Sequence, residues 1–396
     1  MNSCMTIRVH GDGYEGFVVV DSIVGDTSAG GVRIVPDLEL EEIGALAREM
    51  TYKYALFRLP RGGAKAGVRL AAHLDREGRL QALQDFGRKL GPVLRTGTYN
   101  PGMDMNCGPE ELRAIYRGAG IQLGEVTDTS YFTALGVHQA LEACAAALGG
   151  EAPLTLVIEG FGSVARHLAA RLDARYRIVG LATVAGAVLQ PAGFDARRLA
   201  TLRAEGGDAF VTALEGEKVD AATLRAAAAD IFVPAARTGA LTLEVAPRLR
   251  VRAVVPIANA PYAAGVVEVL HERGIVCLPG YVVNVGGVLA SSLFDQGVPP
   301  AAIEALFAGR YRRIVSGLLS AAARRGVPVT VLAAELAARE FPGRNRPRQR
   351  SLPRRVYERF LRRRLPRRLR GALALRRCAR ALDALQAEIG SAGVPA

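Results

Sequence analysis

A strand that runs straight into a glycine-rich turn constrains the fold of this chain more than any other feature. The run Leu154–Glu159 is apolar and β-branched, and it leads into Gly160-Phe-Gly-Ser-Val-Ala165 and an alanine-rich helical stretch. The order strand, GxGxxA, helix is typical of a dinucleotide-binding βαβ unit. The first glycine permits the tight turn, the second lets the backbone approach a pyrophosphate, and the alanine permits close packing of helix on strand. We therefore predict cofactor contacts at Gly160, Phe161, Gly162, Ser163 and Val164.

Further strands after this unit predict a complete nucleotide-binding domain. The run Tyr176–Thr183 has the composition of the next strand, and shorter apolar runs at 231–233, 251–255 and 275–278 alternate with helical stretches. Such alternation favours a doubly wound parallel sheet. The predicted fold class is α/β with two domains: an N-terminal α/β substrate domain and a Rossmann-type dinucleotide-binding domain.

The residue that normally contacts the adenosine ribose is missing from this pattern. An acidic side chain about twenty residues beyond the glycines usually accepts the ribose 2′-hydroxyl, but the position is Thr183 here. Without a carboxylate a 2′-phosphate would not be repelled, yet no arginine follows directly to bind it. The predicted cofactor is therefore NAD or NADP, with Thr183 among its contacts.

Two lysines twelve residues apart, within Met50–Gly67, predict a second site. The apolar residues at 43, 46, 47 and 50 follow the spacing of one helix face, and Lys53 continues that face. A buried ammonium needs a negative partner, because an unpaired buried charge is costly. A substrate carboxylate would be such a partner.

Lys65 lies in the glycine-rich segment Pro60-Arg-Gly-Gly-Ala-Lys-Ala-Gly67, which we expect to form a loop that approaches a ligand closely. In a cleft near another cation, burial would lower the pKa of such a lysine. The alternative for both lysines is a solvated position on a helix and a turn. Together they predict a site for a small anionic carbonyl compound.

Composition narrows the class of protein. With 396 residues, half of them apolar, the chain is long enough for two domains with ample cores. The five cysteines have no CxxC spacing and the five histidines are scattered, so we predict neither a disulfide framework nor a metal site. Nothing in the sequence predicts an export signal or a membrane span, and we expect a cytoplasmic protein.

The positive charge is concentrated near the C-terminus. Residues 344–380 hold sixteen arginines and one acidic residue, Glu358, whereas residues 1–343 have no net charge. Prolines interrupt this segment, which predicts a partly helical, partly disordered tail that could bind nucleic acid or an acidic surface. The alternative is a solvated extension without a partner.

Ten segments in order carry a resemblance to a known family. They are GGVR at 30–33, MTYK at 50–53, LPRGGAKAG at 59–67, PGMD at 101–104, TALGV at 133–137, EGFGSVA at 159–165, DIFVPAA at 230–236, ANAP at 258–261, LHERGI at 270–275 and LPGYVVNVGGV at 278–288. From about Gly30 to about Glu340 the chain resembles the glutamate/leucine/phenylalanine/valine dehydrogenases. The resemblance implies a homo-oligomeric enzyme that deaminates an L-amino acid oxidatively to its 2-oxo acid and ammonia with NAD(P).

The resemblance also implies roles for individual residues. Lys53 corresponds to the lysine that holds the substrate α-carboxylate, Lys65 to the catalytic lysine that polarises the carbonyl, and Asp104 to the acid/base that exchanges protons with the amino nitrogen. Asn106 stands where a glycine is usual, and asparagine tolerates a left-handed backbone. Further implied substrate contacts are Gly30, Gly31, Met50, Asn284 and Ser291, and further implied cofactor contacts are Thr133, Ala235 and Asn259.

Departures from the family pattern bear on the substrate. Glutamate-specific members carry a lysine directly before GGxR for the distal carboxylate, whereas this chain has Ala29. This implies a neutral, aliphatic or aromatic, amino acid, although Ser291 matches a polar position of the glutamate pocket. Pro256 and Ile257 replace the Glu-Gly that normally precedes Ala-Asn in the family. Two alternatives stay open: a glutamate dehydrogenase with an altered pocket, and a nucleotide-binding member without turnover, which Thr183 and Pro256 suggest.

The predicted domain order follows from the two sites. Residues 1–127 form the substrate domain, 128–310 the dinucleotide domain, 311–343 helices that return to the first domain, and 344–396 the arginine-rich tail. A cleft between the two domains would exclude water from hydride transfer.

Overall fold

Two α/β units make up the described part of the chain, and each is built on its own β-sheet. The computed structural model describes residues 4–124, 126, 128–149, 153–340 and 366–392. The first unit holds the described residues before Asp128 and those from Leu336 to Glu340. The second unit holds Asp128–Glu335 and the described C-terminal residues.

The first unit carries a five-stranded mixed sheet. Its strands are β1 (Met5–Gly11), β2 (Tyr14–Val20), β3 (Ser28–Ile34), β4 (Gly62–Leu70) and β5 (Tyr99–Met103), and its helices are α1 (Leu40–Leu56), α2 (Arg76–Lys89), α3 (Gly91–Arg95) and α4 (Pro109–Gly118). The strand order is β1-β2-β4-β3-β5, in which β2 pairs antiparallel with β1 and β4, and β3 pairs parallel with β4 and β5. Strand β3 is therefore flanked by β4 and β5.

Helix α1 packs closely on β4 because two glycines of that strand leave room for it. A side chain at Gly63 would meet the backbone of Thr51, and one at Gly67 would meet Ile43. The apolar face of α1 is buried, as its spacing predicts. The predicted glycine loop is wrong: Lys65 lies inside β4, and the glycines around it serve helix–strand packing rather than a turn.

The second unit carries a seven-stranded sheet. Its strands are β6 (Leu154–Glu159), β7 (Tyr176–Thr183), β8 (Gly186–Phe194), β9 (Glu217–Val219), β10 (Ile231–Pro234), β11 (Ala253–Val254) and β12 (Val276–Cys277). The helices that follow α4 in the chain are α5 (Ser130–Leu148), α6 (Ser163–Ala169), α7 (Ala196–Gly206), α8 (Ala221–Ala226), α9 (Val266–Glu272), α10 (Gly280–Val283), α11 (Gly286–Phe294), α12 (Pro300–Leu306), α13 (Arg312–Arg325), α14 (Val329–Arg339) and α15 (Arg367–Ala392). Two 3-10 helices (Gly207–Ala213 and Ala246–Arg248) and a π-helical turn (Phe307–Tyr311) complete the elements of the described residues.

The strand order β12-β11-β10-β6-β7-β8-β9 makes the second unit a doubly wound domain. The five strands from β12 to β7 in this order are parallel, and β8 and β9 add an antiparallel edge. Strand order reverses at β6, which lies between β10 and β7, and such sheets bind ligands at this point. The predicted strands near 154, 176, 231, 251 and 275 are confirmed, as is the α/β fold class.

The C-terminal helix α15 packs on the second unit through one face. That face, which lies against α13 and α11, buries Gly371, Ala374, Leu382, Leu385 and Ile389. Residues 344–365 of the predicted tail lie outside the described residues. Among the residues that the structure describes, no helix combines the length and the apolar character that crossing a bilayer requires.

Candidate active site

The sheet of the first unit brings two of the predicted catalytic residues together. Lys65 lies on β4 and Asp104 directly follows β5, so they belong to the two strands that flank β3. Val32 of β3 pairs with Ala66 on one side and with Met103 on the other. Lys65 therefore lies one position before, and Asp104 one position after, the strand neighbours of Val32.

Two positively charged side chains meet at the Asp104 carboxylate. Lys65 Nζ lies 3.1 Å from Asp104 Oδ2, and Arg33 Nε donates to the same oxygen at 2.9 Å. Arg33 also donates from Nη1 to Glu42 Oε1 at 2.6 Å. Lys65 and Arg33 are only 3% and 5% exposed. Because buried cations need a carboxylate partner, Asp104 pairs with both cations, and Glu42 supplies the second negative charge.

Arg33 lies in this cluster although the sequence predicted no role for it. The signal available in the sequence is the guanidinium itself, because the remainder of β3, Ser-Ala-Gly-Gly-Val and Ile, is uncharged and mostly buried. A charged side chain in such a strand requires a buried partner. Asp104 and Glu42 are those partners.

Burial and charge act in opposite directions within the cluster. Burial lowers the pKa of Lys65; the negative charge of Asp104 opposes this effect, and the positive charge of Arg33 adds to it. For Asp104, burial alone would raise the pKa, but the charges of Lys65 and Arg33 bring it down to about 2. Asp104 is therefore ionised at neutral pH, and Lys65 releases its proton more readily than an exposed lysine does.

Lys53 is buried on α1, on the face that continues the apolar stripe, and only 4% of it is exposed. Burial lowers its pKa to about 8; the charge of Glu49, one helical turn earlier, opposes this shift, and that of Lys65 adds to it. Only four of the 51 basic side chains of the chain are lysines. Two of these four are buried in one unit, and the charge of Lys65 lowers the pKa of Lys53, which favours a chemical role over a surface role.

A hydrogen-bond network fixes the part of α1 that carries Lys53. Thr51 Oγ1 donates to Asp21 Oδ2 at 2.5 Å and lies 2.8 Å from Ser22 Oγ. Ser22 Oγ in turn accepts from the backbone N–H of Gly63 on β4 at 2.9 Å. The network thus joins α1, the residues after β2, and β4. It contacts α1 two residues before Lys53 and β4 two residues before Lys65.

Gly30 and Gly31 have no room for a side chain. A Cβ at Gly30 would lie 1.6 Å from the carbonyl oxygen of Ala64, and one at Gly31 would lie 2.6 Å from that of Met103 and 2.7 Å from Asp104 Cβ. These two predicted substrate contacts therefore let β4 and the residue after β5 approach β3 closely.

Three further positions of the first unit bear on the sequence predictions. Met50 is buried on α1 one turn before Lys53, and Ala29 is buried in β3. Asn106 has a left-handed backbone with φ of +57°, and its Nδ2 donates to the carbonyl oxygen of Ile34 at 3.0 Å. The expectation that asparagine replaces the usual glycine there without breaking the loop is confirmed.

The glycine-rich turn of the second unit has a backbone suited to a dinucleotide. Gly160 has a φ of +98°. A Cβ there would lie 2.7 Å from the backbone of Ala235, which directly follows the neighbouring parallel strand β10. At Gly162, no heavy atom of the described residues lies within 4 Å of a Cβ position, so a ligand can approach the backbone. Ser163 and Val164 then open α6.

The ribose end of the predicted cofactor site contains an ion pair that the sequence did not predict. The Phe161 side chain is buried, so only its backbone can contact a cofactor. Arg203 Nε donates to the Phe161 carbonyl oxygen at 2.7 Å, and its Nη2 lies 3.0 Å from Asp208 Oδ1. Thr183 Oγ1 donates to the Asp208 carbonyl oxygen at 2.8 Å. A carboxylate and an arginine thus lie beside the strand end where β7 itself lacks an acid.

Asn284 and Asn259 contact each other in the second unit. Asn284 Nδ2 donates to Asn259 Oδ1 and to the Ile257 carbonyl oxygen, each at 2.9 Å. Asn284 is only 6% exposed, and its Oδ1 has no hydrogen-bond partner within the described part of the chain. A buried acceptor without a partner costs about 1–3 kcal/mol.

Thr133 and Ser291 lie on helices α5 and α11, which pack together. Thr133 Oγ1 donates to the Thr129 carbonyl oxygen at 2.8 Å, and Ser291 Oγ donates to that of Val288 at 3.2 Å. Both hydroxyls thus bond within their own helices, and their predicted roles stay predictions. In the described ranges, no group of three or more His, Cys, Asp or Glu side chains could hold a metal ion.

Two family profiles match most of the chain outside its C-terminal quarter. The profile described as Glu/Leu/Phe/Val dehydrogenase, dimerisation domain, matches residues 4–119, and the profile described as Glutamate/Leucine/Phenylalanine/Valine dehydrogenase matches residues 124–298. The chain belongs to the glutamate/leucine/phenylalanine/valine dehydrogenase family. This confirms the predicted resemblance and places the chain among the oxidoreductases that act on amino acids with NAD or NADP.

Two glutamate dehydrogenases illustrate the similarity within this dehydrogenase family. The NADP-specific glutamate dehydrogenase of Saccharolobus shibatae is 30% identical over 283 residues, which cover 66% of this chain and 66% of that protein. The glutamate dehydrogenase of Thermotoga maritima is 30% identical over 303 residues, which cover 71% of this chain and 72% of that protein. The alignments therefore leave about a third of each protein unmatched.

Solved structures of amino-acid dehydrogenases share the fold. The hetero-hexameric glutamate dehydrogenase of Thermus thermophilus in its Leu bound form has a TM-score of 0.73 and 24% identity, covering 85% of this chain and 88% of that one. L-tryptophan dehydrogenase from Nostoc punctiforme has a TM-score of 0.59 and 20% identity, covering 86% and 95%. These likenesses establish the fold of the dehydrogenase family, not a substrate.

Proposed function

We propose that the chain catalyses the reversible, NAD(P)-dependent oxidative deamination of a neutral, aliphatic or aromatic, L-amino acid to its 2-oxo acid and ammonia. The observation that carries this proposal is the buried cluster of the first unit, in which Lys65 Nζ lies 3.1 Å from Asp104 Oδ2. Lys53 is buried on α1 in the same unit. Two lysines with lowered pKa and an ionised carboxylate suit the proton transfers of amine chemistry.

Each of the three side chains has one task in this proposal. Charged Lys53 binds the substrate α-carboxylate. Lys65 donates a hydrogen bond from Nζ to the substrate oxygen and so polarises the carbonyl group. Asp104 accepts a proton from the amino nitrogen in deamination and returns it in the reverse reaction.

The residues of the second unit fit a dinucleotide. Gly160 has the positive φ that the turn requires, and the Gly162 backbone is open. When bound, the nicotinamide ring exchanges a hydride with the substrate Cα. The residues that would hold the cofactor are Thr133, Gly160, Phe161, Gly162, Ser163, Val164, Thr183, Ala235 and Asn259.

Ala29 supports a neutral substrate. It is 5% exposed and lies in β3, where glutamate-specific family members carry the lysine for the distal carboxylate. A dicarboxylate would therefore lose that cation. The alternative, a glutamate dehydrogenase with an altered pocket, is favoured by the names of the two relatives and by the hydroxyl of Ser291.

We also propose a homo-oligomer, which the description of the first profile as a dimerisation domain supports. In the same proposal, residues 1–127 bind the substrate and 128–310 bind the dinucleotide. Of the predicted returning segment 311–343, residues 311–335 belong to the second unit and 336–340 to the first. The five cysteines are free thiols, which agrees with a reducing, cytoplasmic environment.

A spectrophotometric assay tests the proposed reaction. Purified protein is mixed with ammonia, NADH or NADPH, and a panel that contains branched-chain, aromatic and dicarboxylic 2-oxo acids. We expect oxidation of the nucleotide with a neutral 2-oxo acid at a higher kcat/KM than with 2-oxoglutarate. A preference for 2-oxoglutarate would support the altered glutamate dehydrogenase, and no oxidation at high enzyme concentration would support nucleotide binding without turnover.

Substitution of Lys65 separates chemistry from folding. Lys65→Ala should lower turnover by at least about 10³-fold, while Arg33 still pairs with Asp104 and preserves the fold. Lys89→Ala is the matched control, because Lys89 is a surface lysine of α2 whose Nζ lies 2.9 Å from Asp85 Oδ2. Circular dichroism and thermal unfolding check that both variants are folded. Retained activity in Lys65→Ala would contradict its catalytic role.

A further inference from the structure

Asp208 is linked both to the glycine-rich turn and to the end of β7. On one side, Arg203 Nη2 lies 3.0 Å from Asp208 Oδ1, while Arg203 Nε donates to the Phe161 carbonyl oxygen of the turn at 2.7 Å. On the other side, Thr183, the last residue of β7, donates from Oγ1 to the Asp208 carbonyl oxygen at 2.8 Å. A doubly wound domain contacts the pyrophosphate and the adenosine ribose of a dinucleotide at these two places.

Packing holds the backbone of Asp208 beside the glycine-rich turn. Gly207 has a left-handed backbone with φ of +59°, which lets the chain pass from α7 directly into the following 3-10 helix. Phe210 of that 3-10 helix is buried, and its ring centroid lies 5.5 Å from that of the buried Phe161. The short helix that carries Asp208 is therefore packed on the same turn that Arg203 contacts.

The hydroxyl of Thr183 is already used within the protein. It donates its single proton to the Asp208 carbonyl oxygen, and it accepts from the backbone N–H of Ala185 at 3.1 Å. It has no negative charge with which to repel a phosphate. Thr183 therefore joins the end of β7 to the 3-10 helix and so positions Asp208.

The carboxylate of Asp208 is more accessible than the guanidinium with which it pairs. The side chain of Asp208 is 45% exposed and that of Arg203 is 23% exposed. Two guanidinium nitrogens of Arg203 already contact Asp208 and the Phe161 carbonyl oxygen. A phosphate on Arg203 would compete with a carboxylate, whereas a hydroxyl can donate to Asp208 while the ion pair stays intact, because an ionised carboxylate accepts several hydrogen bonds. The pair therefore suits a hydroxyl better than a phosphate.

We propose that Asp208 selects the cofactor: it accepts a hydrogen bond from the 2′-hydroxyl of the adenosine ribose and repels a 2′-phosphate, so that the chain prefers NAD over NADP. Dinucleotide-binding domains usually carry such an acid at the end of the second strand, where this chain has Thr183. Here the acid comes from the 3-10 helix, 25 residues further along the chain. Arg203 and Thr183 act as positioning residues. The inference rests on the proposed function for the binding of a dinucleotide, but not for turnover.

Isothermal titration calorimetry of the whole protein with NADH and with NADPH tests this assignment without reference to activity. The test variant is Asp208→Asn. The matched control is Glu205→Gln, because Glu205 is an exposed carboxylate of α7 near Asp208 in the chain and both substitutions remove one negative charge. We expect the wild-type chain to bind NADH at least about tenfold more tightly than NADPH. Asp208→Asn should bring the ratio of the two dissociation constants to about one, and the control should keep the wild-type ratio.

Two further variants test the positioning role of Thr183. Thr183→Val should weaken the preference for NADH, and Thr183→Ser, which keeps the hydroxyl, should retain it. An unchanged ratio in Asp208→Asn would overturn the assignment. Tighter binding of NADPH by the wild-type chain, lost in Arg203→Met, would overturn it in favour of a 2′-phosphate site on Arg203. A preference for NADH in a protein that oxidises it with no 2-oxo acid would refute the proposed reaction and still support the role of Asp208, so the two proposals fail separately.

Discussion

Arg33 and Lys65 meet at one oxygen atom, because Arg33 Nε and Lys65 Nζ lie 2.9 and 3.1 Å from Asp104 Oδ2. Charge-assisted contacts of this kind fix a carboxylate strongly. The other oxygen, Oδ1, can then exchange a proton with a substrate amine without breaking either contact. We infer that Arg33 is a positioning residue that holds Asp104 ionised and oriented.

Arg33→Met should move the titration of both partners to higher pH. The guanidinium is one of the charges that lower the pKa of Asp104 and also of Lys65, so its removal raises both. Amine-reactive labelling of Lys65, followed by mass spectrometry across a pH series, measures this without reference to activity. The acidic limb of kcat/KM should shift in the same direction, since Asp104 must be ionised.

Glu42→Gln is the control for this variant. It removes the second partner of Arg33 but leaves the contact with Asp104 in place. The labelling midpoint of Lys65 should therefore change less than in Arg33→Met. An unchanged midpoint in Arg33→Met would reject the positioning role.

Binding of the 2-oxo acid should weaken as the pH rises through about 8. Burial lowers the pKa of Lys53 to about 8, and above this pH the free enzyme loses the charge that we propose binds the α-carboxylate. KM for the 2-oxo acid should then rise more than kcat falls. Lys53→Arg, which keeps its charge in this range, should show a flatter KM profile. An equally steep rise in Lys53→Arg would assign the effect to another group.

The same pKa predicts a stability change of defined sign. Between about pH 8 and 10.5, Lys53 is protonated in the unfolded chain but neutral in the folded one, so the free energy of unfolding rises with pH. The rise should be roughly 3 kcal/mol for a shift of this size. Urea unfolding of wild type and of Lys53→Met at pH 7.5 and 10.5 isolates the contribution, which should be missing in the variant.

The nucleotide-binding unit could be predicted because its signals are local. The β-branched run before Gly160 and the spacing of the glycines specify strand, turn and helix without reference to the rest of the chain. The left-handed backbone at Asn106 was equally predictable from its residue type. Each of these depends on the preferences of a few neighbouring residues.

The catalytic cluster could be predicted only in part, because it depends on strand order. The glycines around Lys65 are compatible with a turn and also with close packing of a helix on a strand. Only the close approach of α1 to Gly63 shows that this segment is a strand. Arg33 meets Asp104 because β3 pairs parallel with β5, a contact 71 residues apart. Similarly, the Arg203–Asp208 ion pair lies beside the end of β7, where Thr183 donates a hydrogen bond to the backbone of Asp208. No local sequence pattern indicates this contact.

Thr51→Val should destabilise the first unit. The substitution removes the hydroxyl that donates to Asp21 and contacts Ser22, and leaves these buried groups short of a partner. We expect a loss of about 1–3 kcal/mol in the free energy of unfolding. Thr201→Val is the control, because Thr201 is exposed on α7 and bonds only to its own helix, to Arg197 O at 3.3 Å. Equal effects of the two substitutions would show that the network does not anchor α1.

Gly31→Ala and Gly102→Ala should differ sharply although the two glycines pair with each other in register across β3 and β5. A Cβ at Gly31 would lie 2.7 Å from Asp104 Cβ and 2.6 Å from the Met103 carbonyl oxygen, whereas the Cβ position at Gly102 has no heavy atom of the described residues within 4 Å. Neither glycine has a positive φ, so backbone strain does not separate them. Gly31→Ala must therefore push Asp104 away from Lys65 and Arg33, and a displacement of about 1 Å can cost about 10²-fold in turnover. Gly102→Ala should keep kcat/KM within about twofold of wild type. Similar activity in the two variants, measured on protein of equal thermal stability, would mean that the placement of Asp104 does not depend on the glycine of β3.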